Sequence, residues 1–270
     1  VSHELRTPLF NIKSYVETLH DMGDQLSEED RKEFLGVANS ETDRLTRLVN
    51  DVLDLSRLES NRVVQFSPVD LRPGLEQALR SYQLNASDKQ VELSLEADRD
   101  LPDVLGNWDL ILQVLDNLIG NALKFSRSGG RLTVRAYTWP DSCQMTPSET
   151  EIHSNDGPTC ILSSPLPKIR VEVCDTGYGI SEESQQRIFE RFYRVENAVH
   201  TEVGTGLGLS IVRGILEKHG SMISMASEPD VGTTFWFELP LAQEDPEELR
   251  WRAERQSDEE RLALTTNTES

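Results

Sequence analysis

The apolar positions between residues 34 and 55 constrain this chain more than any other feature. Phe34, Ala38, Leu45, Leu48, Val52 and Leu55, with Glu41 as a polar interruption, are spaced alternately four and three apart. That spacing draws a stripe along one side of a helix and is the pattern of a coiled-coil seam. Ser27, followed by Glu28, Glu29 and Asp30, marks the start of this helix: a capping hydroxyl, then acidic side chains where the helix dipole favours them. An earlier run, Leu5, Leu9, Ile12, Val16, Leu19 and Met22, draws a second stripe at the same kind of spacing. Together they predict an antiparallel helical hairpin over residues 1–60. At ~1.5 Å per residue its second helix is about 48 Å long against about 33 Å for the first. The excess needs a partner, so about ten residues of the first helix are expected upstream of Val1. The missing initiator methionine agrees, and the chain is expected to be a fragment. Two helices are also too thin to bury both stripes, and pairing into a dimeric four-helix bundle is the simplest remedy.

Beyond a polar link at 61–73 the pattern changes. Residues 74–242 alternate helix and strand: a helix in "GLEQALRSYQLNASDKQ", a strand in "VELSLEA", a long helix in "NWDLILQVLDNLIGNALKFS", and strands in "RLTVRAYTW" and "IRVEVCDTG". Helices follow in "SEESQQRIFERFYR" and "LGLSIVRGILEKHG", then strands in "SMISMASE" and "GTTFWFELP". This predicts an α+β domain, one sheet with helices on one face. Trp108, Trp236 and Phe237 are expected in its core. Residues 138–168 are rich in Ser, Thr and Pro without a period and read as a disordered loop between two strands, and 243–270 as a charged tail.

Charge narrows the function. The 27 basic residues face 47 acidic ones, a formal charge of -20, which repels nucleic acid and anionic lipid surfaces. A phosphate handled here needs a local constellation working against the global field. Cys143, Cys160 and Cys174 form no disulfide framework, which predicts a reducing, cytoplasmic setting. No apolar run approaches the ~18 residues of a membrane span, so membrane attachment is expected only through missing upstream segments. His20, His153, His200 and His219 have no metal-ligand spacing.

Three clusters carry candidate chemistry. Asn117, Asn121 and Lys124 share one helix face; the carboxamides offer an oxygen ligand for Mg²⁺ and the ammonium a counter-charge for phosphate. Asp175 ends a strand in "DTGYGI", where a carboxylate can accept the exocyclic amine of adenine and Gly177 and Gly179 allow close approach. "VGTGLGLSIV" leads Gly204, Gly206 and Gly208 into a helix, where backbone N–H groups can cradle phosphate. Between the last two, "IFERFYRVEN" supplies Phe189 and Phe192 for packing and Arg194 for the nucleotide, in a segment suited to a lid. Alone, each cluster also fits a plain structural role: a solvated helix face, a turn after a strand, a glycine turn. His3 alone reads as an ordinary polar residue on a solvated helix face.

The ordered set "SHELRTPL", "NLIGNALKF", "DTGYGI", "FERFYR" and "GTGLGL" resembles the H, N, G1, F and G2 boxes of sensor histidine kinases over residues 1 to about 241. "NDVLDLSRLES" and "QFSPVDL" look most like the cyanobacterial and plastid stress-sensing members. The resemblance implies a dimeric phosphotransfer hairpin followed by an α/β sandwich ATP-binding domain of the type shared with gyrase and Hsp90. It implies that His3 accepts phosphate from ATP, Glu4 takes or orients its proton, and Thr7 positions a water for dephosphorylating the partner. Asn121 would ligate Mg²⁺ beside Asn117, Lys124 and Arg194 would meet phosphate oxygens, and Asp175 would read adenine with Gly177 and Gly179. Gly204, Gly206, Leu207 and Gly208 would close over the triphosphate, and the partner would be the receiver domain of a response regulator, docking around Met22 to Phe34. In the related ATPases that hydrolyse ATP to drive conformational change, an acid replaces Asn117; an amide is no base, which argues against hydrolysis. A non-catalytic dimeric scaffold is the other rival, and every box keeps the side chain its chemistry needs.

Overall fold

The computed structural model describes residues 2–60, 64–139, 167–195 and 204–242, leaving aside the side chains of residues 2 and 3. Helix α1 spans Ser2–Met22 and α2 spans Glu28–Glu59. Ser27 caps α2 as expected, its hydroxyl accepting from the Asp30 N–H at 3.1 Å. Tyr15 packs on Phe34, and Asn11 Nδ2 donates to Glu41 at 3.4 Å, so the interruption in the seam is answered from α1. This register sets the start of α1 beside the stretch around Leu48. Pro8 lies buried within α1, and its missing N–H leaves the Glu4 carbonyl without the usual helical donor. The end of α2 that outreaches α1 does find a partner: Val52 and Leu58 pack on the core of the following domain.

That domain begins earlier than the expected link allows. Within 61–73 lie strand β1, Ser67–Val69, and the start of helix α3, Leu71–Ser81. Asp70 caps α3 by accepting from the Arg72 N–H at 3.0 Å, and Pro73 is tolerated in the first turn because no helical donor is needed there. A single helix expected over 74–90 is broken at Tyr82, whose hydroxyl donates to the Asp116 carbonyl at 3.0 Å; the short α4, Gln83–Asp88, follows. Strand β2 is Glu92–Ala97, and β3, Val104–Gly106, pairs antiparallel with β1. Asn107 then caps α5, Trp108–Phe125, accepting from the Leu110 N–H at 3.1 Å.

The main sheet adds β4, Arg131–Trp139, β5, Lys168–Asp175, β6, Ser224–Glu228, and β7, Gly232–Pro240, in the order β2-β4-β5-β7-β6. Only β2 and β4 run parallel. Two short helices complete the list, α6 at Glu182–Gln185 and α7 at Gly208–Lys218. Period-two alternation turns Val134, Val171 and Phe237 inward against α3, α5 and α7. The same alternation corrects the expectation for Trp236: being next to Phe237, it faces the other way, near the Arg170 guanidinium, which stacks on Trp139 at 3.8 Å and donates to Glu238 at 2.6 Å. Phe237 is in the core, and Trp108 packs on its edge against Gly74. Strands β4 and β5 reach into the segment expected as a loop at 138–168; its remainder, 140–166, and the tail from 243 lie outside the described residues. Among the described residues no helix is long and apolar enough to cross a membrane.

Candidate active site

Helix α5 is amphipathic in the sense its sequence implied. Leu115, Leu118, Ile119 and Ala122 are buried, while Asn117, Asn121 and Lys124 emerge half-exposed on one side. The Asn117 amide donates to the Gln113 carbonyl at 2.9 Å, which fixes its rotamer and turns its oxygen to the glycine-rich turn. A Cβ on Gly208 would stand 2.5 Å from that oxygen, and one on Gly204 would stand 3.1 Å from Lys124 Nζ. The first and third clusters are therefore in direct contact. Gly206, at φ +73, adopts a backbone conformation that other residues rarely take, and its carbonyl accepts from the Phe192 N–H at 2.9 Å. That bond joins the aromatic box to the glycine turn.

Asp175 closes the other side. Its carboxylate accepts from the Gly177 N–H at 2.8 Å, and burial lifts its pKa to about 6, with backbone donors from Gly177 and Thr233 opposing. The Tyr178 N–H donates to the Phe125 carbonyl at 3.2 Å, tying this turn to the end of α5, and Lys89 Nζ caps that end on the Leu123 and Lys124 carbonyls at 3.2 and 2.6 Å. Gly179, at φ +67, approaches so closely that a Cβ would stand 2.0 Å from the Glu228 carbonyl oxygen. The Asp175 turn is thus tied to the C-terminal end of α5 and the glycine-rich turn to Asn117 and Lys124 on the same helix.

Not every candidate joins it. The Leu207 side chain is fully buried, so only its backbone can face a ligand. Arg194 is exposed and makes no hydrogen bond or ion pair among the described residues; instead Arg191 reaches Glu59 at 2.5 Å. The helix expected over 181–194 is limited to α6; beyond it the chain runs in turns, with the Arg187 N–H donating to the Ser184 carbonyl and the Glu190 N–H to the Arg187 carbonyl, and Phe192 takes a left-handed φ of +65. Glu4 is half-buried and Thr7 exposed on α1, with His3 in its first turn. Phe189 is half-buried against Phe235.

Several contacts had no signal in the sequence. Thr205 Oγ1 donates to Asp51 Oδ2 at 2.6 Å and Gln113 Nε2 to Asp54 Oδ2 at 2.7 Å, so the site touches the hairpin directly. His219, given no role as a ligand, is buried with its pKa lowered by burial; Nδ1 meets the Ile215 carbonyl at 2.9 Å and Nε2 accepts from the Asn107 N–H at 3.1 Å. It joins α7 to the cap of α5. Among the described residues no group of three or more His, Cys, Asp or Glu could hold a metal ion. A single carboxamide oxygen beside a phosphate site suits Mg²⁺, which retains water and shares phosphate ligands.

Comparison with known proteins agrees with this geometry. Residues 1–61 match the His kinase A (phospho-acceptor) domain, and residues 106–243 match the histidine kinase-, DNA gyrase B- and HSP90-like ATPase family. Drug sensory protein A of Synechocystis is 58% identical over 243 residues, covering 90% of this chain and 34% of that protein. A sensor-like histidine kinase of Porphyra purpurea, ycf26, itself uncharacterized, is 51% identical over 246 residues, covering 91% of this chain and 35% of its own. The chain thus spans about a third of the length of these relatives. The crystal structure of full-length ShkA in complex with AMPPNP superposes with a TM-score of 0.60 at 29% identity, over 89% of this chain and 45% of that one. With a phospho-acceptor hairpin and an ATPase domain matched in that order, the chain belongs to the sensor histidine kinases.

Proposed function

We propose that this chain transfers the γ-phosphoryl group of ATP to His3 and then passes it to an aspartate on the receiver domain of a response regulator. The observation that carries the reading is the packing of the glycine-rich turn on Asn117 and Lys124, in a domain whose turn is bonded to the helix paired with α1. Phosphoryl transfer asks the protein for in-line placement and charge neutralisation more than for covalent chemistry.

Asp175 accepts the adenine amine and so selects the base. Lys124 neutralises phosphate oxygens, Arg194 adds a second cation from the lid, and backbone N–H groups at the start of α7 face the triphosphate. Asn121, with Asn117 beside it, would hold Mg²⁺, which when bound would offset charge on the phosphate oxygens. A neutral imidazole keeps a lone pair on one ring nitrogen. That nitrogen forms the bond to the γ-phosphorus of ATP while the bond to the β–γ bridging oxygen breaks, and ADP leaves with the electron pair. Glu4 orients the ring and receives the proton from its other nitrogen. In the second step a receiver aspartate attacks the phosphorus as the imidazole leaves, and Thr7 places the water that later hydrolyses the aspartyl phosphate to free aspartate and inorganic phosphate. The exposed stripes of the hairpin make the working form a homodimer.

Incubation with γ-labelled ATP tests this. Label that is acid-labile and alkali-stable on the protein, and lost in His3→Gln, is the expected result. ATP hydrolysis without protein label overturns it in favour of a conformational ATPase, and neither label nor hydrolysis favours a scaffold.

A further inference from the structure

Helices α5 and α7 run antiparallel and meet at two levels. At one, His219, which closes α7, meets Asn107, which caps α5; at the other, Gly208, the first residue of α7, lies against the Asn117 carboxamide. The two levels are about 15–17 Å apart along either helix at ~1.5 Å per residue, so a displacement at the first is carried to the second by continuous helix. Between them Ile111, Val114, Ile211 and Ile215 are buried in the common core. Apolar burial resists separation of the helices, but it is non-directional and tolerates a small slide of one along the other. The His219 bond is directional: Nε2 accepts from the Asn107 N–H at 3.1 Å, and about 0.5 Å more removes it. Both ring nitrogens are committed. Asn107 offers a backbone donor and Ile215 a backbone carbonyl 2.9 Å from Nδ1, which assigns the proton to Nδ1 and the lone pair to Nε2. Burial keeps the ring neutral by lowering its pKa, 6% of the residue is exposed, and Phe66 covers it edge-on at 4.9 Å, so water does not stand in for either bond. The cap that His219 grips is itself held: Asn107 Oδ1 accepts from the Leu110 N–H and Nδ2 donates to the Gln65 carbonyl, both at 3.1 Å.

We propose that His219 is a positioning residue that sets the axial register of α7 against α5, and so places the backbone N–H groups at the start of α7 level with Asn117 for a triphosphate. The proposal rests on the nucleotide reading above and adds to it a residue remote from the ligand. An apolar side chain of similar volume would fill the same space, but it would leave the Asn107 N–H without its acceptor and the register to non-directional packing.

The test separates the two ring nitrogens. His219→Asn carries an amide N–H at the level of Nδ1 and falls short of Asn107; His219→Gln reaches the level of Nε2 with its amide oxygen. Magnesium-dependent binding of a fluorescent trinitrophenyl ATP analogue to the whole chain is measured at a temperature where circular dichroism shows each variant folded. Affinity should fall roughly three- to tenfold in His219→Asn, the loss of one hydrogen bond, and stay within about twofold of native in His219→Gln. The backbone amide NMR shifts of Gly206 and Gly208, about three helical turns from the substitution, should move in His219→Asn and not in His219→Gln. Native affinity and unmoved Gly208 shifts in His219→Asn, with only a lower Tm, overturn the positioning role, and so does a His219→Gln that binds as weakly as His219→Asn. If neither variant folds, the ring nitrogen shifts of the native chain decide: a proton on Nδ1 supports the proposal and one on Nε2 overturns it. A native chain that binds no analogue overturns the nucleotide reading and this role with it, whereas the Gly206 and Gly208 shifts judge the register alone.

Discussion

The hairpin and the sheet domain bury their apolar residues to very different extents. In the sheet domain Leu115, Val134, Val171, Ile211 and Leu239 have no exposed surface, and the core lies between α3, α5, α7 and the five-stranded sheet, with Val52 and Leu58 of α2 packed on its edge. Among the described residues of the hairpin the buried hydrophobics of α2 are Ala38 and Leu48, while Leu9 and Phe10 of α1 remain 58% and 69% exposed. A two-layer domain of this size encloses its core; two helices have only one shared seam. The contrast separates a domain with a closed core from a hairpin whose apolar stripe stays largely exposed in the single chain.

The largest effect expected from breaking this contrast comes from a charge in the seam. Leu48→Asp buries an unpaired carboxylate and should cost about 3–5 kcal/mol, abolishing the helical melting transition of the hairpin while the sheet domain still unfolds cooperatively. Leu115→Ala is the mirror experiment. It leaves a cavity in a closed core, should cost about 2–5 kcal/mol in chemical denaturation of the sheet domain, and should leave dimerisation unchanged. If either substitution unfolds both regions together, the two are one cooperative unit and the comparison fails.

Asp175 sharpens the contrast from the side of function. Its pKa in the folded chain is near 6 against an ordinary 3.8, so folding is penalised as pH rises between these values and the whole penalty is present above about pH 6. Asp175→Asn should therefore raise stability by about 1–3 kcal/mol at pH 7.5, seen as a higher Tm of the sheet domain, while nucleotide binding is lost. In the native chain nucleotide affinity should fall as pH drops through about 6, because the protonated carboxyl is a poorer acceptor for the adenine amine. A lower Tm in Asp175→Asn at pH 7.5 would show that the carboxylate's hydrogen bonds outweigh its burial.

Leu9→Ser should have the smallest effect on the single chain. Leu9 is exposed there, so its unfolding free energy should change by less than about 0.5 kcal/mol. The dimer should weaken by roughly tenfold or more in analytical ultracentrifugation, in proportion to the apolar area lost from the interface. An unchanged association constant would remove this face from the dimer.

Legibility followed the range of the physics. The four-three spacing from Phe34 to Leu55 and the cap at Ser27 are local, and both helices of the hairpin stand where those signals put them. The alternation of β4, β5 and β7 was equally local, and counting it through would have turned Trp236 outward. Asp70 and Pro73 carried a readable helix start inside the expected link, and "DVLG" held a three-residue strand too short to show a period. The F segment holds a contact that no local pattern records: the Phe192 N–H reaches the Gly206 carbonyl.

Residue types and their spacing were enough to place the candidate side chains, because a helix face or a post-strand turn is set by backbone geometry within a few residues. They determined Asn117, Asn121 and Lys124 as one face, and Asp175 as the end of a strand. Only the tertiary structure decided that the glycine turn rests on that face, that Leu207 turns into the core, and that Thr205 meets Asp51, 154 positions away. Such contacts arise where two separately folded surfaces meet, and neither sequence window records the shape of the other.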